Sequence, residues 1–102
     1  MNATAFRHLL NSDTYFKKAE AVHKFQQRLD ESIERDMKEL EQLDADDEDD
    51  ILDESQSEIV ARVLISMIRA KLYAKETTRL NALSLNELEA FNAAKGKQHS
   101  NN

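Results

Sequence analysis

The sequence predicts an all-α protein, and three observations predict it. The 102 residues include no proline and a single glycine, whereas a sheet protein needs turn residues about every 8–12 positions. Two long stretches space their apolar residues for a helix and not for a strand. Residues of the helix-capping type stand where helical segments would begin. The expected architecture is two long helices in an antiparallel hairpin with a short flanking helix at each end, dimerising into a helical bundle. The length suits one domain, expected over residues 1–96, with residues 97–102 (KQHSNN) as a disordered tail.

Taken in order, Asn2 to Asn11 places Phe6, Leu9 and Leu10 on one helical face. It reads as a short helix that docks on something larger, because an isolated helix of this length is unstable. Ser12, Asp13 and Thr14 follow as a cluster of capping residues for the next helix. From about Asp13 to Leu43 a heptad register emerges, with Ala19, Gln26, Ile33 and Leu40 at one core position and Tyr15, Val22, Leu29, Asp36 and Leu43 at the other. Gln26 and Asp36 are its two polar exceptions, and Phe16, Phe25 and Met37 widen the apolar stripe. A helix of roughly thirty residues spans about 45 Å, so it must pair with another long helix.

Residues 44–50 (DADDEDD) break that pattern with six acidic side chains. Their mutual repulsion opposes a continuous helix, and acid is favourable at the N-terminus of the next one. Asp50 or Ser55 is the expected cap, with Ser55 and Glu58 at the spacing of a capping box. From Ile51 to about Leu80 apolar residues occupy more than one face, through Ile59, Val60, Val63, Leu64, Met67, Ile68, Leu72 and Tyr73. A helix apolar over so wide an arc is usually sandwiched between two neighbours. The β-branched content is high, but the interspersed Arg62, Arg69, Lys71 and Lys75 defeat strict alternation and favour helix. The final element opens on Ser84 as cap, with Glu87 completing a box, Leu83 and Leu88 as a hydrophobic staple, and Gly96 as the left-handed terminus.

Chemistry is sparse. With no cysteine, thiolate catalysis, disulfides and cysteine zinc sites are excluded. His8, His23 and His99 form no HExxH motif and no pair three or four residues apart. Counted as a calcium loop from Asp44, the sixth residue is Asp49 and the twelfth Ser55, where glycine and glutamate are required. The carboxylate pairs Glu31 with Glu34 and Asp50 with Asp53 are ordinary on helices so rich in charge. Neither a phosphate-binding glycine loop nor a nucleophile elbow is present. The expectation is a protein that is not an enzyme and carries no cofactor. No motif ties the sequence to a family.

Charge is the informative polar feature. Residues 1–43 carry 7 basic and 8 acidic side chains, residues 44–58 carry 9 acidic and none basic, and residues 59–102 carry 7 basic and 3 acidic, for a net charge of −6. That balance argues against general affinity for nucleic acid or anionic lipid. No run approaches a membrane span and the N-terminus lacks a basic-then-apolar leader, so the expected location is cytoplasmic.

The functional expectation is a protein–protein interaction module, a small acidic adaptor, chaperone or regulator acting as a homodimer and on an unidentified protein. Self-association is assigned to Phe16, Val22, Phe25, Leu29, Ile33, Met37 and Leu40, with Val60, Leu64, Met67, Ile68 and Leu72 as the shared core. Asp46, Asp47, Glu48, Asp49 and Asp50 form the candidate recognition surface. One alternative is an acidic mimic of nucleic acid that blocks a DNA-binding protein. A second is a nucleic-acid binder using Arg62, Arg69, Lys71, Lys75 and Arg79 with Tyr73 on the second long helix.

Overall fold

The computed structural model describes residues 2–45 and 53–100, and the side chains of 2–43 and 53–96. Every described residue except Asn2 and Asp53 is helical. There are two helices, α1 (Ala3–Ala45) and α2 (Glu54–Ser100). The all-helical class and the two long helices are as the sequence predicts. Among the described residues neither helix is long and apolar enough to cross a membrane. The acidic residues Asp46 to Asp50 lie outside the described residues.

The short flanking helices are not present. The first is the opening of α1 and the last is the end of α2. With no proline or glycine between residues 2 and 95, only the capping residues could have ended a helix, and each has a helix-compatible use instead. Thr14 Oγ1 donates back to the Leu10 carbonyl at 3.0 Å, a bond open to threonine inside a helix. Asp13 pairs with Lys17 one turn on, at 2.9 Å. Ser12 and Ser84 face each other and are both buried. Glu87, read from sequence as the second half of a box, meets His8.

The true caps sit elsewhere. Asn2 opens α1, its Oδ1 accepting from the Ala5 amide at 2.7 Å. Asp53 opens α2 in a reciprocal box: the Gln56 amide donates to Asp53 Oδ1 at 2.8 Å and the Asp53 amide to Gln56 Oε1 at 2.9 Å. This corrects the Ser55–Glu58 box by two residues. Gln56 is 2% exposed, so the box stands on the buried side of the helix, where Glu58 would be costly. Gly96 is corrected as well, since α2 runs through it and no described residue has positive φ.

The chain divides into two compact units: unit 1 from residues 1–23 and 75–102, unit 2 from residues 24–74. Within unit 1, Asn2 reaches the Ala94 carbonyl, His8 reaches Glu87 and Ser12 reaches Ser84. The α2 number falls as the α1 number rises, so the two segments run antiparallel there. Unit 2 shows the same order, with Phe25 against Tyr73 and Asp36 against Arg62.

Beside half-buried residues 9, 32, 60, 74, 76, 83 and 90, each helix has a stripe of protected positions that alternate steps of three and four. On α1 they are 5, 8, 12, 15, 19 and 22 in unit 1, then 26, 29, 33, 36, 40 and 43 in unit 2. On α2 they are 56, 59, 63, 66, 70 and 73 in unit 2, then 77, 80, 84, 87, 91 and 94 in unit 1. This is the 3.5-residue period of helices packed side by side. The register read from Tyr15 to Leu43 falls on it, both polar exceptions included. Few of these positions are apolar and fully buried: Ala5, Ala19 and Leu80 in unit 1, Ile59 and Val63 in unit 2.

Asp36 shows why a polar residue holds a core position. It is 8% exposed, and Arg62 donates to it through Nε and Nη2, both at 3.0 Å, the two-pronged geometry that guanidinium and carboxylate favour. Ser12 and Ser84 solve the same problem with neutral groups. Each Oγ lies within 3.0 Å of the other residue's carbonyl, as a donor, and the two Oγ atoms are 3.0 Å apart.

Three outcomes follow. Gly96 is exposed within α2 and an added Cβ would meet nothing within 4 Å, so Gly96→Ala should raise stability by about 0.5–1 kcal/mol in urea titration; a left-handed terminus would give the opposite sign. Asp53→Ala should cost about 1 kcal/mol through the lost cap, and Ser55→Ala close to nothing. Arg62→Ala should lower the urea midpoint by stranding the Asp36 carboxylate, whereas Asp36→Leu should leave it level or higher.

Candidate functional site

In unit 2 the face of α2 turned away from its protected stripe is apolar. Leu64, Ile65, Met67, Ile68 and Leu72 are between 44% and 61% exposed. Ala61, Ile65, Ile68 and Leu72 follow one another at steps of four, three and four, a second helical stripe roughly opposite the first. The corresponding outward positions of α1 in this unit are Lys24, Gln27, Arg28, Glu31, Glu34, Arg35, Lys38, Glu41 and Gln42, all exposed and all polar. One helix thus meets water as a surface helix should. The other turns Leu64, Ile65, Ile68 and Leu72 outward, with Met67 at the flank of the protected stripe as Phe25 and Met37 are on α1, and an exposed apolar patch marks an interaction site.

The seven residues assigned to self-association from the sequence do not share one surface. Leu29, Ile33 and Leu40 are half-buried on the protected stripe of α1 in unit 2, and Val22 is half-buried on that of unit 1. Phe16, in unit 1, is exposed, as are Phe25 and Met37 in unit 2. Phe25 is not idle: its ring lies 6.2 Å from that of Tyr73, and the Arg28 guanidinium sits 5.7 Å above it. Of the expected shared core, Val60 is half-buried while Leu64, Met67, Ile68 and Leu72 are exposed. Ile65 escaped sequence reasoning. Its spacing to Ala61 and Ile68 was the available signal, masked by its reading as one of several β-branched residues.

Unit 1 carries its own grooves. Leu9, Leu10, Phe16 and Leu88 line one of 440 Å³ with Ser12, Asp13 and Ser84 at its floor and rim. A second, of 310 Å³, is lined by Phe16, Ala19, Glu20, His23, Thr77 and Asn81. The Thr77 hydroxyl is buried and has no hydrogen-bond partner among the described residues. His8 Nδ1 and Glu87 Oε2 are 2.6 Å apart and about a quarter to a third exposed.

Among the described residues no group of histidine and carboxylate side chains could hold a metal ion. The basic side chains of α2 are partly committed. Arg62 is bonded to Asp36 and lies 3.8 Å from Glu39. Those hydrogen bonds to Asp36 raise the guanidinium above its ordinary pKa. Arg79 is bonded to Glu76, which raises the arginine and holds the Glu76 carboxyl below its usual range. Lys17 is raised in the same way by its bond to Asp13. Tyr73 is half-buried beside Phe25. Arg69, Lys71 and Lys75 are exposed. No protein-family model, curated protein or solved structure matches this chain.

Proposed function

We propose that this protein is a non-enzymatic interaction module whose two helices close as an antiparallel hairpin and associate with a second copy into a helical bundle. The observation that carries the reading is the apolar face of α2 in unit 2, with Leu64, Ile65, Met67, Ile68 and Leu72 uncovered while the outward face of α1 in the same unit is polar. Burying hydrocarbon is the main source of affinity between folded chains, and five such side chains in one patch need a partner. The dimer then acts as an adaptor, chaperone or regulator, meeting its protein target through surface outside the dimer seam. In unit 1, Phe6, Leu10, Phe16 and Leu85 are half exposed or more and provide such surface.

The reading of α2 as a nucleic-acid binder is less well supported. Arg62 and Arg79 hold carboxylates and Tyr73 packs against Phe25, which leaves a short basic track beside an apolar patch. The acidic mimic rests on Asp46 to Asp50 alone, a single short run in the sequence.

Light scattering coupled to size-exclusion chromatography tests the proposal. The expected mass is twice 11.7 kDa, held from low salt to high because apolar burial supplies the affinity. The thermal midpoint should rise with protein concentration, as it must when association and folding are linked. A mass of 11.7 kDa at every concentration, with a midpoint independent of concentration, overturns it.

A further inference from the structure

We infer that the second copy docks antiparallel along the outer face of α2, across a two-fold axis at Ile68, with Leu64 of one copy against Leu72 of the other. The inference rests on the self-association proposed above and adds the face, the direction and the register.

Three observations carry it. Leu64, Ile68 and Leu72 stand at i, i+4 and i+8, all more than half exposed, so the row is the same read in either direction about Ile68. A two-fold interface requires that self-complementarity, since the same patch serves both partners. Antiparallel pairing sets Leu64 on Leu72 twice and Ile68 on Ile68 once, with Ile65 and Met67 filling the sides.

Charge selects the direction. Within unit 2 the exposed acids Asp53, at the cap of α2, and Glu54 and Glu58, in its first turns, all precede the patch; of the exposed bases Arg62 precedes it and is held by Asp36, while Arg69 and Lys71 stand within it. Antiparallel pairing about Ile68 carries the acids of the two copies to opposite ends of the patch, whereas parallel pairing sets acid beside acid. Avoiding like charges in this way fixes orientation more than it adds affinity.

The area is adequate. Five side chains about half exposed offer roughly 500 Å² per copy, or about 1,000 Å² across the pair, the lower bound of a specific interface. The outward face of α1 in this unit, charged along its length, offers no comparable patch.

The full chain has no cysteine, so single substitutions report by disulfide formation under mild oxidation. Ile68→Cys should link to itself. Leu64→Cys mixed with Leu72→Cys should form the mixed disulfide about tenfold faster than either forms its own, because only directly apposed α-carbons fit the bond. Met37→Cys, exposed on α1, should not link. Ile68→Asp should run as a monomer with wild-type helical content.

Self-linking of Leu64→Cys and Leu72→Cys in place of the mixed product would mean parallel pairing and overturn the register. Linking through Met37→Cys alone, or an Ile68→Asp protein that remains a dimer, would move the interface off α2 while leaving self-association intact. A wild-type protein that is monomeric throughout would remove the self-association on which the inference stands. Binding of that monomer to another protein or to anionic vesicles would name the occupant that replaces it.

Discussion

A helix lying against one neighbour can bury one stripe, an arc of roughly 100°. In unit 2 that constraint is met on α1 and exceeded on α2. The stripe of Ile59, Val63, Ser66, Ala70 and Tyr73 is protected, and the second stripe, built on Leu64, Ile68 and Leu72, has nothing in the chain's described residues to cover it. The imbalance is written in composition: apart from Asp36, the charged residues of α1 in this unit lie off its protected stripe, while on α2 several outward positions are leucine and isoleucine. The apolar arc of α2 therefore fits a helix with neighbours on two sides, and the described residues supply one of them.

What occupies the protected stripes matters as much as their period. Ser12 and Ser84 are small enough to let backbones approach, and each hydroxyl can bond only if the opposite carbonyl is at its own level. Asp36 is satisfied only where Arg62 reaches it. Shifting either pairing by a heptad would strand a buried hydroxyl or a buried carboxylate, at a cost an apolar seam would not impose. A seam of leucines would be stickier and less particular. Here the apolar positions supply attraction within each unit, and these polar pairs specify which turns of helix face each other.

The sequence carries the periodic part of this structure openly. Heptad spacing from Tyr15 to Leu43 depends on side-chain type alone, and it located Asp36 on the protected stripe before any partner was known. The breadth of the apolar arc on α2 was legible for the same reason. Helix ends were not. Ser12, Asp13, Thr14 and Ser84 have the chemistry of caps, but a hydroxyl or carboxylate can satisfy a backbone amide at a helix start or a distant group in mid-helix. Which use prevails is decided by tertiary neighbours. Asp53 and Gln56 were overlooked because the box was sought with serine and glutamate, although aspartate and glutamine supply the same acceptors. The seven residues assigned to an intermolecular face combine four from the protected stripe of α1, Val22, Leu29, Ile33 and Leu40, with the exposed Phe16, Phe25 and Met37, since heptad spacing identifies a seam without naming the helix on its other side.

The interior is thin for a pair of helices more than forty residues long. Among the described residues of unit 2 only Ile59 and Val63 are apolar and fully buried, beside Gln56, Ser66 and Asp36. Helices draw most of their stability from the packing of an amphipathic face, and small domains with little core usually gain the remainder by association. An apolar face on α2 that costs little to expose would be a neutral feature in a protein with a large core. In one with so few buried side chains, covering it is a substantial share of the whole.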